Sequence, residues 1–510
     1  MNALELSNLT KRFGELTAVD NLCLTIPKGE LFGLVGSDGA GKTTTLRMLT
    51  GVLDASSGTA RVLGCPCDHL EPIRSRIGYM SQRFGLYPDL TVLENIRFHA
   101  DIFGVPKSEW QPRSERLLAM SGLTPFVKRR AGALSGGMKQ KLGLCCALIH
   151  TPEVLFLDEP TNGVDPVSRR DFWRILATLL AEGVTIVVAT AYLDEAERCH
   201  RVGLLHHGRL LACDTPHKLK QLADPAIIAP GLEDVFITML GEGADSAVQR
   251  RPSPDLAEAG IAVSLDQLSR RFGSFTAVNR ISLTVPKGEI FGFLGPNGAG
   301  KSTTIRMLCG ILEPSDGHGR VAGFDITSQA EQIKENIGYM SQKFSLYEDL
   351  TVEENIAFYG GIYRLPAKEL SERAEWVIEM AGLTERRGSK AGELSAGWRQ
   401  RLALGCALLH RPPIVFLDEP TSGVDPLNRR RFWQLIHHLA AEGVTIFVTT
   451  HYMDEAEYCD RLAMIYHGDL VAVGTPLELK QQRAQAGQLP SLEQVFIGLI
   501  EERDTEELRS

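Results

Sequence analysis

The sequence lacks three features that would point to other classes of protein. It has no apolar run of the roughly 18 to 20 residues that cross a bilayer, and its first residues, MNALELSNLTKRFG, lack the apolar core of a signal peptide. Its 10 cysteines form no CxxC pair, which excludes the usual zinc and thioredoxin spacings. It has no excess of positive charge, because 54 Lys and Arg stand against 63 Asp and Glu and the net charge is −9. We therefore expect a cytoplasmic protein with reduced cysteines and no general electrostatic attraction to nucleic acid.

The sequence contains one unit written twice. GYMSQRFGLYPDLTVLENI (78–96) returns as GYMSQKFSLYEDLTVEENI (338–356), and LDEPTNGVDP (157–166) returns as LDEPTSGVDP (417–426). A spacing of about 260 residues indicates duplicated domains rather than a solenoid of short repeats. We predict one domain at 1–240, a flexible linker at 241–260 that is rich in Gly, Ala, Ser and Pro, and a second domain at 261–510.

Within each half, the hydrophobic pattern predicts an α/β fold. In the first half, apolar runs of strand length occupy 31–36, 153–160 and 184–190, as is typical of strands buried on both faces of a largely parallel sheet. Residues 169–183 carry apolar side chains at helical spacing, and the segment from about 94 to 150 is also mainly helical in pattern. We expect a sheet-based core that is interrupted by a helical insert.

A glycine-rich loop follows a buried strand in each half. Residues 36–43 read GSDGAGKT and residues 295–302 read GPNGAGKS, and both match the phosphate-loop pattern GxxxxGK[ST]. Glycines allow positive φ angles, so successive N–H groups can converge on phosphate oxygens at a helix N-terminus. The lysines should reach the outer phosphates, and the hydroxyl residues after them should bind Mg²⁺. The predicted nucleotide-binding residues are Gly36, Gly39, Gly41, Lys42, Thr43 and Thr44, with Gly295, Gly298, Gly300, Lys301, Ser302 and Thr303 in the second half.

A pair of carboxylates ends an apolar strand in each half. LFLDEP (155–160) contains Asp158 and Glu159, and VFLDEP (415–420) contains Asp418 and Glu419. A strand end beside a phosphate loop suits an aspartate that assists the metal and a glutamate that polarises the attacking water. Alone, such a pair could equally cap a helix, but beside the phosphate loops that interpretation is the minor alternative.

Between these elements, each half carries a glutamine, Gln82 or Gln342, and then LSGGMKQKLGL (134–144) or LSAGWRQRLAL (394–404). Blocks of this kind in this order resemble the nucleotide-binding domains of ABC transporters, over both halves of the chain. The resemblance implies two P-loop NTPase domains in tandem, each with a RecA-like core, an antiparallel β-subdomain and a helical subdomain that carries the signature. It implies ATP and Mg²⁺ as cofactors, with adenine stacking on Phe13 and Phe272. The Mg²⁺ ligands that it implies are Thr43, Gln82, Asp158, Ser302, Gln342 and Asp418.

The halves differ at positions that the resemblance makes informative. In this family two domains close head to tail, and each ATP lies between the phosphate loop of one domain and the signature of the other. The second half has His451 at the family's switch histidine, whereas the first half has Ala191. The first signature reads Ser135-Gly136-Gly137, whereas the second reads Ser395-Ala396-Gly397. Cross-pairing would place both departures in the same composite site, so that an ATPase dimer formed within one chain would have unequal sites.

We therefore expect one complete and one degenerate composite site. Site 2 would hydrolyse ATP with Lys301, Gln342, Glu419 and His451 as catalytic residues, closed by the first signature. Site 1 would mainly bind ATP through Lys42, Thr43, Gln82, Asp158 and Glu159, closed by Ser395, Ala396 and Gly397. Loss of one donor to transition-state charge costs about 3 to 4 kcal/mol. Ala396 would add strain if its φ were positive. Neutral drift with two active sites is the alternative.

Further blocks resemble the ATPases of bacterial drug, lipid and polysaccharide exporters, namely GVDPxxRRxFW after each DEPT, LYxDLTVxENI, and the terminal LExVF segments. That resemblance implies two integral-membrane permease subunits, allows a periplasmic adaptor protein, and implies a peripheral position on the cytoplasmic face of the inner membrane. The loops after Gln82 and Gln342, with Phe84 and Phe344, would contact the permeases. A fused ATPase of a sugar importer remains an alternative. A ribosome-acting tandem ATPase is less favoured, because the linker is short and weakly charged, and no nucleic-acid partner is expected.

Overall fold

The computed structural model describes residues 1–82, 85–225, 227, 230–241, 260–342, 345–484 and 489–507. They form two compact units, one built mainly from the first half of the chain and one mainly from the second. Of the predicted linker, only Gly241 and Gly260 are described, and 242–259 lie outside the described residues. Phe84 and Phe344, which we expect to contact permeases, also lie outside them.

The strands of unit 1 form an antiparallel sheet and a largely parallel one. They are β1 (Asn2–Phe13), β2 (Leu16–Pro27), β3 (Leu31–Gly36), β4 (Ser57–Val62), β5 (Cys65–Pro66), β6 (Ile77–Met80), β7 (Val154–Asp158), β8 (Thr185–Thr190), β9 (Arg201–His206) and β10 (Arg209–Asp214). The antiparallel sheet has the order β2-β1-β4-β5. The other has the order β10-β9-β3-β8-β7-β6, with only the β9–β10 pair antiparallel.

The helices of unit 1 include the predicted helical insert. They are α1 (Lys42–Leu49), α2 (Val92–Ile102), α3 (Lys107–Ser121), α4 (Gly136–Leu148), α5 (Pro166–Ala181), α6 (Leu193–Ala196), α7 (Pro216–Lys220) and α8 (Leu232–Met239). Short 3₁₀ turns occupy Glu71–Arg76, Thr124–Phe126 and Ala131–Ala133. The insert is α2 to α4, and it begins with a capping box in which Thr91 accepts from the Glu94 N–H while Glu94 accepts from the Thr91 N–H.

Helix α5 shows why these segments fold as predicted. It starts at Pro166, three residues before the predicted start, where the fixed φ of proline suits the first helical turn. Phe172, Ile175, Leu176 and Leu179 are buried in one hydrophobic cluster with residues of β7 and β8. Each such buried side chain contributes about 1.5 to 3 kcal/mol.

Unit 2 repeats the same architecture. Its strands are β11 (Ile261–Phe272), β12 (Phe275–Pro286), β13 (Ile290–Leu294), β14 (Asp316–Val321), β15 (Phe324–Asp325), β16 (Ile337–Met340), β17 (Ile414–Asp418), β18 (Thr445–Thr450), β19 (Arg461–Tyr466) and β20 (Asp469–Gly474). The antiparallel sheet has the order β12-β11-β14-β15, and the larger sheet has the order β16-β17-β18-β13-β19-β20.

The helices of unit 2 follow the order of unit 1, except that α10 takes the place of the 3₁₀ turn Glu71–Arg76. They are α9 (Lys301–Leu308), α10 (Ala330–Glu335), α11 (Val352–Ile362), α12 (Ala367–Ala381), α13 (Ala396–Ala407), α14 (Pro426–Ala441), α15 (Met453–Ala456), α16 (Pro476–Gln481) and α17 (Leu492–Glu507). Thr384–Arg386 and Ala391–Glu393 are 3₁₀ turns. Within the described ranges, no helix is both long enough and apolar enough to span a bilayer.

The sheet order brings the predicted site residues to one edge in each unit. β3, β8 and β7 are parallel neighbours, so their carboxyl ends meet at the same edge of the sheet. β3 runs into the phosphate loop, while β7 ends at Asp158 and β8 ends one residue before Ala191. β13, β18 and β17 do the same in unit 2, so the predicted α/β fold, with its parallel core, antiparallel β-subdomain and helical insert, is confirmed.

Candidate active sites

The phosphate loops have a backbone that only glycine can adopt at one position in each unit. Gly41 and Gly300 have φ angles of 98° and 107° and precede the first residue of α1 and α9. A Cβ there would lie 2.4 Å from the carbonyl oxygen of Ala18 and 2.3 Å from that of Ala277. Both strain and overlap therefore require glycine, and the loop is drawn tightly against the β-subdomain.

The loop lysines are buried and face the carboxylates that end β7 and β17. Lys42 Nζ donates to the Gly36 carbonyl at 2.7 Å and lies 3.4 Å from Glu159 Oε1. Lys301 Nζ donates to the Gly295 carbonyl at 2.7 Å and lies 3.5 Å from Glu419 Oε1. In both units a cation is therefore held at the mouth of the phosphate loop, where an anion would meet it.

A hydroxyl and an aspartate come together beside each lysine. Thr43 Oγ1 donates to Asp158 Oδ1 at 2.9 Å, and Ser302 Oγ donates to Asp418 Oδ1 at 3.1 Å. Burial raises the pKa of both aspartates, and the hydroxyl contacts oppose that shift. Oxygen ligands of this kind suit Mg²⁺, which binds through one or two carboxylates together with substrate phosphates. Across the described residues, no cluster of three or more His, Cys, Asp or Glu side chains could hold a metal without such help.

Glu419 is surrounded by three polar partners in unit 2. Gln342 Nε2 donates to its Oε2 at 2.8 Å, His451 Nδ1 lies 3.2 Å from the same oxygen, and Lys301 approaches the other. Burial alone would raise the pKa of Glu419, but the contacts with His451 and Lys301 outweigh it and lower the pKa from 4.5 to about 2. The structure thus brings Lys301, Gln342, Glu419 and His451 together, as the sequence predicts.

The equivalent glutamate of unit 1 has fewer partners. Glu159 Oε2 accepts from the backbone N–H of Ala191 at 3.3 Å, and Lys42 faces Oε1. Among the described residues, the structure shows no hydrogen bond from Gln82 to this carboxylate. Burial raises the pKa of Glu159, and Lys42 only partly offsets it. The two units therefore hold their glutamates in opposite electrostatic environments.

Comparison with known proteins identifies this arrangement. The family profile described as "ABC transporter" matches residues 19–162 and 278–422. The chain belongs to the ABC transporter family. It is 42% identical, over 575 aligned positions that cover 99% of this chain and 98% of the relative, to the "Probable multidrug ABC transporter ATP-binding protein YbhF" of Escherichia coli K12.

Two further similarities extend over a half and over most of the chain. The "Linearmycin resistance ATP-binding protein LnrL" of Bacillus subtilis is 40% identical over 215 residues, covering 42% of this chain and 69% of that protein. A solved complex of an archaeal ribosomal stalk protein with the ribosome recycling factor aABCE1 aligns with a TM-score of 0.65 at 20% identity, over 90% of this chain and 87% of that one. At 20% identity, the similarity to the recycling factor shows only that the two proteins share a fold. The protein is an ABC ATPase that binds ATP.

The signature motifs of this ABC ATPase begin helices α4 and α13. Ser135 is the N-cap of α4 and accepts from the Met138 N–H at 3.3 Å. A Cβ on Gly137 would lie 2.4 Å from Ser168 Oγ, and one on Gly397 would lie 2.5 Å from Asn428 Cγ, so both must be glycine.

Ala396 is the first residue of α13 and its φ is not positive. The strain that a positive φ would have caused at Ala396 is therefore absent. A Cβ at Gly136, the matching position of unit 1, meets no atom closer than 3.8 Å. The second signature differs from the first in the added methyl group and in its N-cap, because Ser395 makes no side-chain hydrogen bond to the first turn of α13, whereas Ser135 does so in α4.

The predicted adenine-stacking residues lie at the tips of β-hairpins of the ABC ATPase. Phe13 ends β1 and Phe272 ends β11, and their side chains are 48% and 47% exposed. Lys11 Nζ lies 5.2 Å from the Phe13 ring centroid, and Arg270 Cζ lies 4.7 Å from that of Phe272. An exposed aromatic face with a cation beside it is available for a base. Thr44 and Thr303 are half-buried in the first turns of α1 and α9.

One contact at the unit 2 site of the ABC ATPase involves a residue that the sequence analysis missed. Thr449 Oγ1 donates to Asp418 Oδ1 at 2.7 Å and accepts from the Glu419 N–H at 3.0 Å. The matching residue of unit 1 is Ala189, and Asp158 instead receives the Tyr79 hydroxyl at 3.4 Å. A position-by-position comparison of VTIVVATA (184–191) with VTIFVTTH (444–451) would have found this difference.

Proposed function

We propose that this ABC ATPase powers export and that its two ATP sites are unequal. Site 2 pairs the second phosphate loop with Ser135, Gly136 and Gly137, and it hydrolyses ATP. Site 1 pairs the first phosphate loop with Ser395, Ala396 and Gly397, and it mainly binds ATP. The domains are 1–240 and 261–510, joined by the linker at 241–260. The single observation that carries the asymmetry is the contact of His451 with Glu419, which Ala191 cannot reproduce.

The asymmetry follows from which groups can meet developing charge. His451 is fully buried against Glu419, so its imidazole is fixed in place beside the phosphate loop. Glu419 stays ionised over the whole physiological pH range because its pKa is about 2. A fixed carboxylate can orient water, and a fixed imidazole can stabilise charge on the γ-phosphate. In unit 1 the methyl group of Ala191 offers neither a donor nor a charge.

Mg²⁺ completes each proposed site. When bound, Mg²⁺ would neutralise charge on the β- and γ-phosphates of ATP. Ser302, Gln342 and Asp418 would hold it in unit 2, and Thr43, Gln82 and Asp158 would hold it in unit 1. The paired hydroxyl and carboxylate oxygens, 3.1 Å apart in unit 2 and 2.9 Å apart in unit 1, are the observations that support this assignment.

The test is a matched pair of substitutions in the complete transporter complex. We expect Glu419→Gln to lower the ATPase rate at least a hundredfold, because it removes the carboxylate at the complete site. Glu159→Gln should lower it no more than a few-fold, while nucleotide still binds at the first phosphate loop. Equal losses of ATPase rate in the two variants would contradict the proposal that the two sites are unequal. Ala191→His alone should not produce two equal sites, because Ala396 remains.

The proposed partners are two permease subunits, and the position is the cytoplasmic face of the inner membrane. Each unit exposes a matching pair of apolar side chains, one just after α1 or α9 and the other at the last residue of α2 or α11. Val52 and Ile102 are 65% and 61% exposed in unit 1, and Ile311 and Ile362 are 57% and 56% exposed in unit 2. In unit 1 this pair borders a cavity of about 430 Å³ that Ser81 and Gly85 also line, next to Gln82. Such duplicated apolar surface suits two similar partners.

Purification from membranes tests the partners. We expect the wild-type chain to recover permease subunits, and Ile102→Glu together with Ile362→Glu to lose them, while Leu222→Glu serves as an exposed apolar control at 51% exposure. Unchanged recovery by the double variant would contradict the docking surface. Recovery of ribosomes instead of permeases would refute the exporter proposal. A periplasmic adaptor, if part of the complex, would appear in the same material.

Drugs or lipids are the proposed cargo class, because the similar proteins carry the printed names of a multidrug transporter subunit and a linearmycin resistance protein. A sugar importer ATPase is the second candidate. Inverted membrane vesicles that contain the complex distinguish the two. Accumulation of a fluorescent drug or lipid that depends on ATP supports export, whereas ATP-dependent release of a preloaded sugar supports import.

A further inference from the structure

Thr449 uses one hydroxyl for two purposes in unit 2. It is fully buried near the end of β18, where Oγ1 donates to Asp418 Oδ1 at 2.7 Å and accepts from the Glu419 N–H at 3.0 Å. The same N–H also donates to the Thr449 backbone carbonyl at 3.1 Å, so the hydroxyl adds a second acceptor to a backbone bond that is present in both units. A threonine hydroxyl has one proton to donate and lone pairs to accept with, so both bonds can form together. The side chain therefore links the carboxylate of Asp418 to the backbone of Glu419.

Both linked residues need to be held. Glu419 has a φ of 49°, in the left-handed region that a non-glycine residue adopts only at a cost. Asp418 also receives the Ser302 hydroxyl at 3.1 Å, so two hydroxyl groups meet on one carboxylate oxygen and restrict its rotation. Thr449 thus stabilises the turn at Glu419 and the orientation of Asp418 through the same atom.

Unit 1 lacks this link although its backbone has the same form. Glu159 has a φ of 50°, and its N–H donates only to the Ala189 carbonyl, at 2.8 Å. Ala189 has no hydroxyl for Asp158, which receives Thr43 at 2.9 Å and the distant Tyr79 hydroxyl at 3.4 Å. The loss at Ala189 is separate from the loss at Ala191, because Ala189 lies within β8 and Ala191 follows its last residue.

We propose that Thr449 is a positioning residue for ATP hydrolysis in unit 2. It holds Asp418 in position to bind Mg²⁺ and Glu419 in position to orient the attacking water. The alanine at the matching position of unit 1, Ala189, is a further cause of weak hydrolysis there, independent of Ala191. This inference rests on the proposed roles of Asp418 and Glu419. It predicts that Ala191→His alone recovers less hydrolysis at the first phosphate loop than Ala189→Thr with Ala191→His.

The test compares substitutions that separate the hydroxyl from the space it fills. Thr449→Val keeps the shape and loses the hydroxyl, whereas Thr449→Ser keeps the hydroxyl and loses a methyl group. Thr445→Ala is the matched control, because Thr445 is a buried residue of the same strand whose hydroxyl accepts from the Gly288 N–H, away from the carboxylates. Each variant is made in the full chain, and ATPase rate and melting temperature are measured.

Binding of a fluorescent ATP analogue gives a readout that does not depend on turnover. It is measured with Mg²⁺ and with EDTA in chains that also carry Lys42→Ala, so that binding reports on the second phosphate loop. We expect Thr449→Val to lower the ATPase rate roughly ten- to a hundredfold, the effect of one lost hydrogen bond to a charged group. It should weaken binding with Mg²⁺ and leave binding in EDTA unchanged, while Thr449→Ser stays near wild type.

Three outcomes would overturn the inference. The first is nucleotide binding by Thr449→Val that depends on Mg²⁺ as in the wild type. The second is an equal loss of ATPase rate in Thr449→Val and Thr449→Ser. The third is an equal loss of ATPase rate in Thr445→Ala, which would indicate a general effect on β18. Glu419→Gln is run beside them. If Glu419→Gln keeps full activity, the proposed function itself fails, whereas a silent Thr449→Val with an inactive Glu419→Gln overturns only the role of Thr449.

Discussion

The environment of Glu419 predicts that unit 2 depends on pH in a way that unit 1 does not. Its pKa falls from 4.5 to about 2 on folding, so the ionised carboxylate stabilises the folded state. This contribution is fully present above the ordinary pKa and is lost as pH falls through the folded pKa. The shift corresponds to about 3 kcal/mol at pH 7 and about 2 kcal/mol at pH 3.5.

Glu419→Gln measures this contribution. We expect it to lower the free energy of unfolding of unit 2 by up to about 3 kcal/mol at pH 7, and by less as pH falls. Urea titration of the full chain supplies the value, with Trp110 and Trp173 replaced by Phe so that the remaining tryptophans report on unit 2. The variant and its parent are compared at pH 7 and pH 3.5.

Glu159→Gln is the matched control, because the pKa of Glu159 is raised rather than lowered. Its ionised form therefore costs stability at neutral pH, and Lys42 keeps the Gly36 carbonyl as a partner when the charge is removed. We expect the free energy of unfolding of unit 1 to stay the same or rise, measured in a chain whose Trp376, Trp398 and Trp433 are replaced by Phe so that Trp110 and Trp173 report on unit 1. Equal losses in the two units, or a loss in unit 2 that does not change with pH, would refute the electrostatic argument.

Two other predictions concern the backbone and the cysteines. Gly298→Ala should cost about 1 to 2 kcal/mol of unit 2 stability, since its φ is 83° and a Cβ there would meet no atom within 4 Å. Gly300→Ala should lower the stability of unit 2 further, because its Cβ would also overlap the carbonyl oxygen of Ala277. Equal melting temperatures of the Gly298→Ala and Gly300→Ala variants would contradict this expectation. A thiol reagent at pH 8 should modify exposed Cys23 in the native chain before the buried cysteines. Mass spectrometry should find the six buried cysteines unmodified until urea is added, and their modification in the native chain would contradict their burial. They are Cys145, Cys146, Cys199, Cys309, Cys406 and Cys459.

Much of the site could be predicted because its residues follow strands and loops with strong local patterns. The phosphate loops and the DEP segments are short, contiguous motifs, and parallel strands bring their carboxyl ends to one edge of a sheet. Lys301, Asp418 and Glu419 were therefore expected to meet, and they do. The repeat added a second, internal comparison that made Ala191 visible opposite His451.

Comparison of the two halves shows that Thr449 stands opposite Ala189, but it does not show what the hydroxyl contacts, because threonine in a buried strand is ordinary and its hydroxyl has no fixed partner in a sequence pattern. Only the tertiary structure places that hydroxyl between Asp418 and Glu419, and only the structure shows that Ala396 begins a helix without a positive φ. The duplication, the α/β fold and the motif residues can all be recognised without coordinates, since they depend on contiguous patterns of residues. The opposite pKa shifts of Glu159 and Glu419 depend on burial and on partners that are distant in the chain, so tertiary structure alone decided them.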